Sequence, residues 1–158
     1  MPGLLGVVDQ AFLYARQAYG QIDTSQPATI HSLRIAFKKF RYMVEIIHPI
    51  LPDYPQTHLE RMHDYQSRMG NIQDVEIFLS MLTDFVESGA SSFEPEPVRQ
   101  FYEQRRAELI NAFMKEKGEL NLLWRNTPDQ HFPWEKRNDP LRNPPRNRRK
   151  SGGTRHRG

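Results

Sequence analysis

Residues 30–42 read IHSLRIAFKKFRY, and the spacing inside this stretch decides how the rest of the chain is read. At ~100° per residue, Arg34, Lys38, Arg41 and Tyr42 all fall within about 80° of His31 on a helical wheel. Leu33, Ala36, Phe37, Phe40, Val44 and Ile47 fall on the opposite side and form a core stripe. The pattern predicts an amphipathic helix with one apolar and one cationic face. Guanidinium forks and an ammonium group, repeating about once per turn beside an imidazole, suit a ligand that repeats phosphate along its length. Arg34 and Arg41 both lie off the core stripe, so replacing the two by alanine is expected to cost binding and little of the fold.

Outward from this helix, apolar periodicity predicts three more. The first covers 4–20, with Leu5, Val8, Phe12, Ala15 and Tyr19 on one stripe and Gly20 as its stop. Ser25, Pro27 and Thr29 punctuate the start of the second, which ends near His48 because Pro49 and Pro52 follow. A third begins after Pro55 and carries Leu59, Met62, Tyr65, Met69, Ile72, Val75, Leu79, Leu82 and Val86 as far as the Ser/Gly/Ala break at 88–92. Pro95 and Pro97 introduce the fourth, which is expected to run to about Trp124 with Tyr102, Leu109, Phe113 and Leu120 inward. Strand signals are nearly absent. The expected fold class is all-α, an antiparallel four-helix bundle in up-down order.

Charge divides the chain in two. The formal net charge is +3, from 22 Lys/Arg against 19 Asp/Glu. Residues 135–158 hold nine of those cations and two of the acids, net +7, so residues 1–134 hold thirteen against seventeen, net −4. The C-terminal stretch is rich in Asn, Pro, Arg and Gly, and Trp134 is its last large apolar neighbour. Nothing there buries enough surface to offset the entropy of ordering it, so 1–134 reads as the bundle and 135–158 as a disordered basic tail. Nonspecific nucleic-acid binding through the Arg-rich tail is one alternative function; without aromatic groups beyond Trp134, base stacking has no platform.

The chain has 158 residues and no Cys, which excludes a disulfide scaffold, a thiolate metal site and a Cys nucleophile. No apolar run reaches the ~18 residues of a membrane span, and MPGLLGVVDQ lacks a basic leader. A soluble, cytoplasmic protein with no membrane association is expected. There is no glycine-rich phosphate loop, no acidic pair at metal-ligand spacing near the cations, and no nucleophile beside a base, so no enzyme, cofactor or metal centre is expected. His48, His58 and His63 approach the turn between the second and third helices, a weak metal-site signal. Asp74 and Glu76 stand two apart and point away from each other.

On the third helix, His63, Gln66, Gly70, Gln73 and Asp74 share a face spanning about 100°. Gly70 costs on the order of 1 kcal/mol relative to Ala inside a helix, which calls for close packing or close ligand approach. Asp74 is expected to orient a basic side chain of the second helix. A single His on a four-helix scaffold also matches the outline of a histidine phosphotransfer bundle, although Phe37, Lys38 and Tyr42 crowd the turns after His31.

Two blocks, IHSLRIAFKKFRYMVE at 30–45 and QSRMGNIQDVEIFLSML at 66–82, make the chain resemble the CHAD domain, named for its conserved histidine on an α-helical scaffold. A pattern H-x-L-R-x-x-x-K/R-K/R-x-R-Y matches His31, Leu33, Arg34, Lys38, Lys39, Arg41 and Tyr42, and L-G-x-x-x-D matches Met69, Gly70 and Asp74 with Met for Leu. The resemblance implies a non-enzymatic module that binds inorganic polyphosphate through basic helix faces, in the cytoplasm or at polyphosphate granules. It implies phosphate contacts for His31, Arg34, Lys38 and Arg41, an edge position for Lys39, and packing or a hydrogen bond from Tyr42. His63 and Gln66 line the facing helix, His63 standing where the family commonly has a basic residue, and Arg105 and Arg106 are further candidates for the same wall. Family domains usually contain two such bundles, whereas one is present here, closest in character to the second. A homodimer, or a partner supplying the second bundle, is the corresponding expectation.

Overall fold

The computed structural model describes residues 3–89 and 92–135, and every regular element among them is helical. Four α-helices follow in order: α1 (Leu4–Gly20), α2 (Pro27–Ile47), α3 (Gln56–Glu87) and α4 (Glu96–Glu116). Pro27 opens α2, where its fixed φ is already helical and its missing N–H would have gone unpaired. The turn before it is held by Asp23, whose carboxylate accepts from the Ser25 hydroxyl (2.6 Å) and backbone N–H (2.9 Å). Those bonds keep the Asp23 pKa below its ordinary value.

Each helix packs on the next, α1 on α2, α2 on α3 and α3 on α4. Along α2 and α3 the numbering runs in opposite senses: Arg41 meets Gln66 while Arg34 meets Gly70. The same holds between α3 and α4, where Tyr65 meets Phe113, Glu76 meets Arg106 and Thr83 meets Arg99. The core is aromatic, with Phe12 against Phe40 (ring centres 4.9 Å apart), Phe37 against Tyr65 (4.8 Å) and Phe40 edge-on to Trp124 (5.7 Å). Burying each such ring contributes on the order of 2 kcal/mol or more.

The fourth helix is shorter than its apolar pattern predicts. It stops at Glu116 and continues as a 3₁₀ helix over Lys117–Leu122. Gly118 lies in this segment, and the Tyr65 hydroxyl donates to the Lys117 carbonyl (2.9 Å), giving that oxygen a side-chain partner at the helix end. The chain then folds back onto α1, where Asp9 accepts from Trp124 Nε1 (2.8 Å) and from Arg125 at Nε (2.9 Å) and Nη2 (2.7 Å). Phe132 and Trp134 stack at 4.5 Å, and Trp134 closes over Tyr54 and His58. Glu135, read from sequence as the first residue of the tail, ends a 3₁₀ turn over Pro133–Glu135. The remainder of the expected tail, 136–158, lies outside the described residues.

Candidate functional site

The seam between α2 and α3 gathers most of the residues singled out by sequence. The predicted stripe is inward: Leu33, Phe37, Phe40, Val44 and Ile47 are buried. His31 and Arg34 are partly buried beside that stripe, and Lys38, Lys39 and Tyr42 are exposed. His31 Nδ1 and Arg34 Nε are buried atoms with no hydrogen-bond partner among the described residues. Lys38 Nζ and the Arg41 guanidinium carbon lie 5.6 and 4.6 Å from the centre of the Tyr42 ring, so the phenol sits between two cations.

Arg41 departs from its expected place. It is only 6% exposed, pairs with Glu45 one turn on, and donates through Nε to Gln66 Oε1 on α3 (2.7 Å). Its Nη1 also lies 3.0 Å from His63 Nε2, and that nitrogen is 3.0 Å from Glu45 Oε1. Arg41, Glu45, His63 and Gln66 therefore form one polar cluster that clips α2 to α3. The physical reason is its wheel position at the border of the apolar stripe, where α3 closes over it. Replacing Arg41 is consequently not neutral for the fold, contrary to the expectation from sequence.

Other cations are engaged in the same way. Arg61, Arg68, Arg105, Arg106 and Arg125 each have a nitrogen within 4 Å of a carboxylate. Arg105 pairs with Glu108 on α4, and Arg106 pairs with Glu76 and lines a pocket with Thr24, Ser25 and Pro27. Among the described residues neither has a hydrogen bond or ion pair to the α2 row. By contrast, Arg34, Lys38 and Lys39 form no ion pair among the described residues. Lys39 lies on the far edge of α2, at the rim of an apolar groove of about 570 Å³ between α1 and α2 that Val7, Tyr14, Ile35 and Met43 also line.

Asp74 is exposed and pairs with no cation among the described residues, so it does not orient a side chain of α2. The carboxylate that does is Glu45, from the same helix, visible beforehand only as an i,i+4 pair with Arg41. The three histidines diverge: His48 Nδ1 lies 3.1 Å from the Glu45 carbonyl, His58 is buried between Tyr54 and Trp134, and His63 is exposed at Glu45. Among the described residues no group of three His, Cys, Asp or Glu is placed to hold a metal ion, and no helix is long and apolar enough to cross a membrane.

Gly70 faces Arg34 across the seam, and a Cβ built there would meet only Arg34 Nε, at 3.7 Å, which is ordinary contact. Packing does not demand the glycine. Gly70→Ala is therefore expected to raise stability by about 0.5–1 kcal/mol through helix propensity, read as a higher melting temperature; a lower one would show that the space above Gly70 is needed by the fold.

No curated protein and no solved structure matches the chain significantly. The family model described as the CHAD domain matches residues 4–83, which spans α1, α2 and α3 up to Thr83 and leaves out α4. That stretch is just over half of the 158 residues and contains both motif blocks and the whole α2–α3 seam. By that match, with His31 on a helical scaffold beside an unpaired cationic row, the chain belongs to the CHAD domain family.

Proposed function

We propose that this protein binds inorganic polyphosphate, without turning it over, along the exposed face of α2. Arg34 and Lys38 supply the central contacts, His31 and Tyr42 border them, and Lys39 extends the edge. The observation that carries this reading is clustering: among the described residues Arg34, Lys38 and Lys39 have no carboxylate partner and stand together within two turns of one helix, whereas the other cations without one, Arg16, Arg99, Lys115 and Lys117, are spread over α1, α4 and the segment after it. A cation already paired gains little from a phosphate, because its partner must first be displaced; an unpaired one offers its full charge-assisted bond. Successive phosphates then meet successive donors, and a long chain rebinds in neighbouring registers, so affinity rises with ligand length. A second bundle, from another copy or a partner, would extend the same track, and binding of this kind suits a cytoplasmic or granule-associated role.

The test is a titration of the full chain with polyphosphates of several lengths, alongside DNA and RNA at matched salt. Affinity per chain should climb with polyphosphate length and exceed that for either nucleic acid. Equal affinity for nucleic acid, abolished by deleting 136–158, would favour the tail-driven alternative instead. Acid-labile phosphate on His31 after incubation with a phosphodonor would favour phosphotransfer.

A further inference from the structure

α3 is 32 residues long and α2 is 21, so α3 runs on past the end of α2. With Arg41 opposite Gln66 and Arg34 opposite Gly70, the start of α2 at Pro27 comes opposite about residue 77 of α3. Beyond that point the face of α3 that α2 covers lower down is exposed among the described residues. It does not turn polar there. Ile77, Phe78, Met81 and Phe85 are 48%, 36%, 64% and 48% exposed, and Phe101 of α4 is 65% exposed. Phe78 packs on Tyr102 (4.2 Å) and Tyr102 on Phe101 (5.1 Å), so the two helices present one continuous apolar surface.

We infer that this projecting end of the α3–α4 hairpin is a dimer interface that packs against the same surface of a second copy. Phe78, Met81 and Phe85 follow the three-then-four spacing of a helix–helix seam. Five large side chains at roughly half exposure offer on the order of 500 Å². Two copies facing each other would bury on the order of 1,000 Å², about the lower bound for a specific interface. An isologous contact covers both bare faces at once, which a contact elsewhere on the molecule would not. Its border carries both signs, Asp74 and Asp84 on α3 and Arg105 on α4, so the approach is not simply one of like charges.

Light scattering or sedimentation of the full chain at tens of micromolar should give twice the monomer mass of 18.6 kDa. Met81→Glu with Phe85→Glu, both at exposed positions, should weaken association at least 100-fold with helix content unchanged. A monomeric wild type, or a dimer that survives the double variant, overturns the inference. Because the chain has no cysteine, a second measurement stands apart from folding of the charged variant: Met81→Cys should form a disulfide-linked dimer on mild oxidation, and Ser67→Cys, exposed lower on α3, should not. Equal cross-linking by both, or by neither, also overturns it. None of these readouts involves polyphosphate, so failure here leaves the binding proposal standing on its own test.

Discussion

Replacing Arg34 and Lys38 together by alanine is expected to lower polyphosphate affinity about 100-fold and to leave the fold in place. Each charge-assisted hydrogen bond to phosphate contributes on the order of 1.5 kcal/mol at a partly hydrated site, so two amount to ~3 kcal/mol, or two decades in Kd. Among the described residues neither side chain is held by a carboxylate, Arg34 Nε has no hydrogen-bond partner to strand, and the exposed Lys38 loses only its contact with the Tyr42 ring. The expected stability change is therefore below about 1 kcal/mol. The measurement is a calorimetric titration paired with a thermal melt. Undiminished affinity with an unchanged melt would remove α2 from the binding site. As a matched control, Arg105→Ala on α4 should change affinity by less than about twofold, since Arg105 stands with Glu108 away from the row.

Most of the fold was legible because its signals are local. Helical period, Pro27 and Pro55 at helix starts, and Gly20 at a stop placed α1, α2 and α3 within a residue or so. Where a local signal was overridden, a distant partner did it. The apolar pattern of α4 continues past Glu116, yet the backbone tightens into a 3₁₀ helix around Gly118, and Leu120 and Trp124 still reach the core by that route. Val86 shares the stripe of Leu79 and Leu82 but is 39% exposed, because with Thr83 opposite Arg99 it comes opposite the start of α4 at Glu96, where that helix runs out. The overshoot of α3 past α2 exposes Ile77 and Met81, which no periodicity of α3 alone marks as a surface, since their spacing is that of any buried face.

At the site, spacing identified the helix face but not which cations on it are free. That distinction depends on what stands across the seam. Arg34 meets a glycine, which offers neither charge nor bulk; Arg41 meets a glutamine and a histidine, with Glu45 beside them. About two turns along α2 thus separate a cation kept available from one spent on holding two helices together.

Arg41→Ala is accordingly expected to act on stability first, lowering it by about 2–3 kcal/mol, with a fall in melting temperature of roughly 5–10 °C. Breaking a fully buried ion pair costs ~3–5 kcal/mol. The value here is set lower because the Glu45 side chain is 30% exposed, so water relieves part of the charge left behind. Gln66 Oε1 loses its donor as well, and the stem of Arg41 leaves a gap beside the buried stripe. Arg41→Lys, which keeps the charge but loses the fork that reaches Glu45 and Gln66 together, should recover less than half of the loss. Glu45→Gln separates the two roles of this residue. Removing the carboxylate charge frees the Arg41 guanidinium from its strongest partner and takes a negative charge off the cationic face, so polyphosphate affinity should rise several-fold while stability falls by about 1–2 kcal/mol. Opposite signs in the two measurements are what a structural clip built from a potential ligand contact must give. If Glu45→Gln weakened binding instead, Glu45 would be organising the phosphate donors, and Arg41 would belong with Arg34 and Lys38 in the binding row.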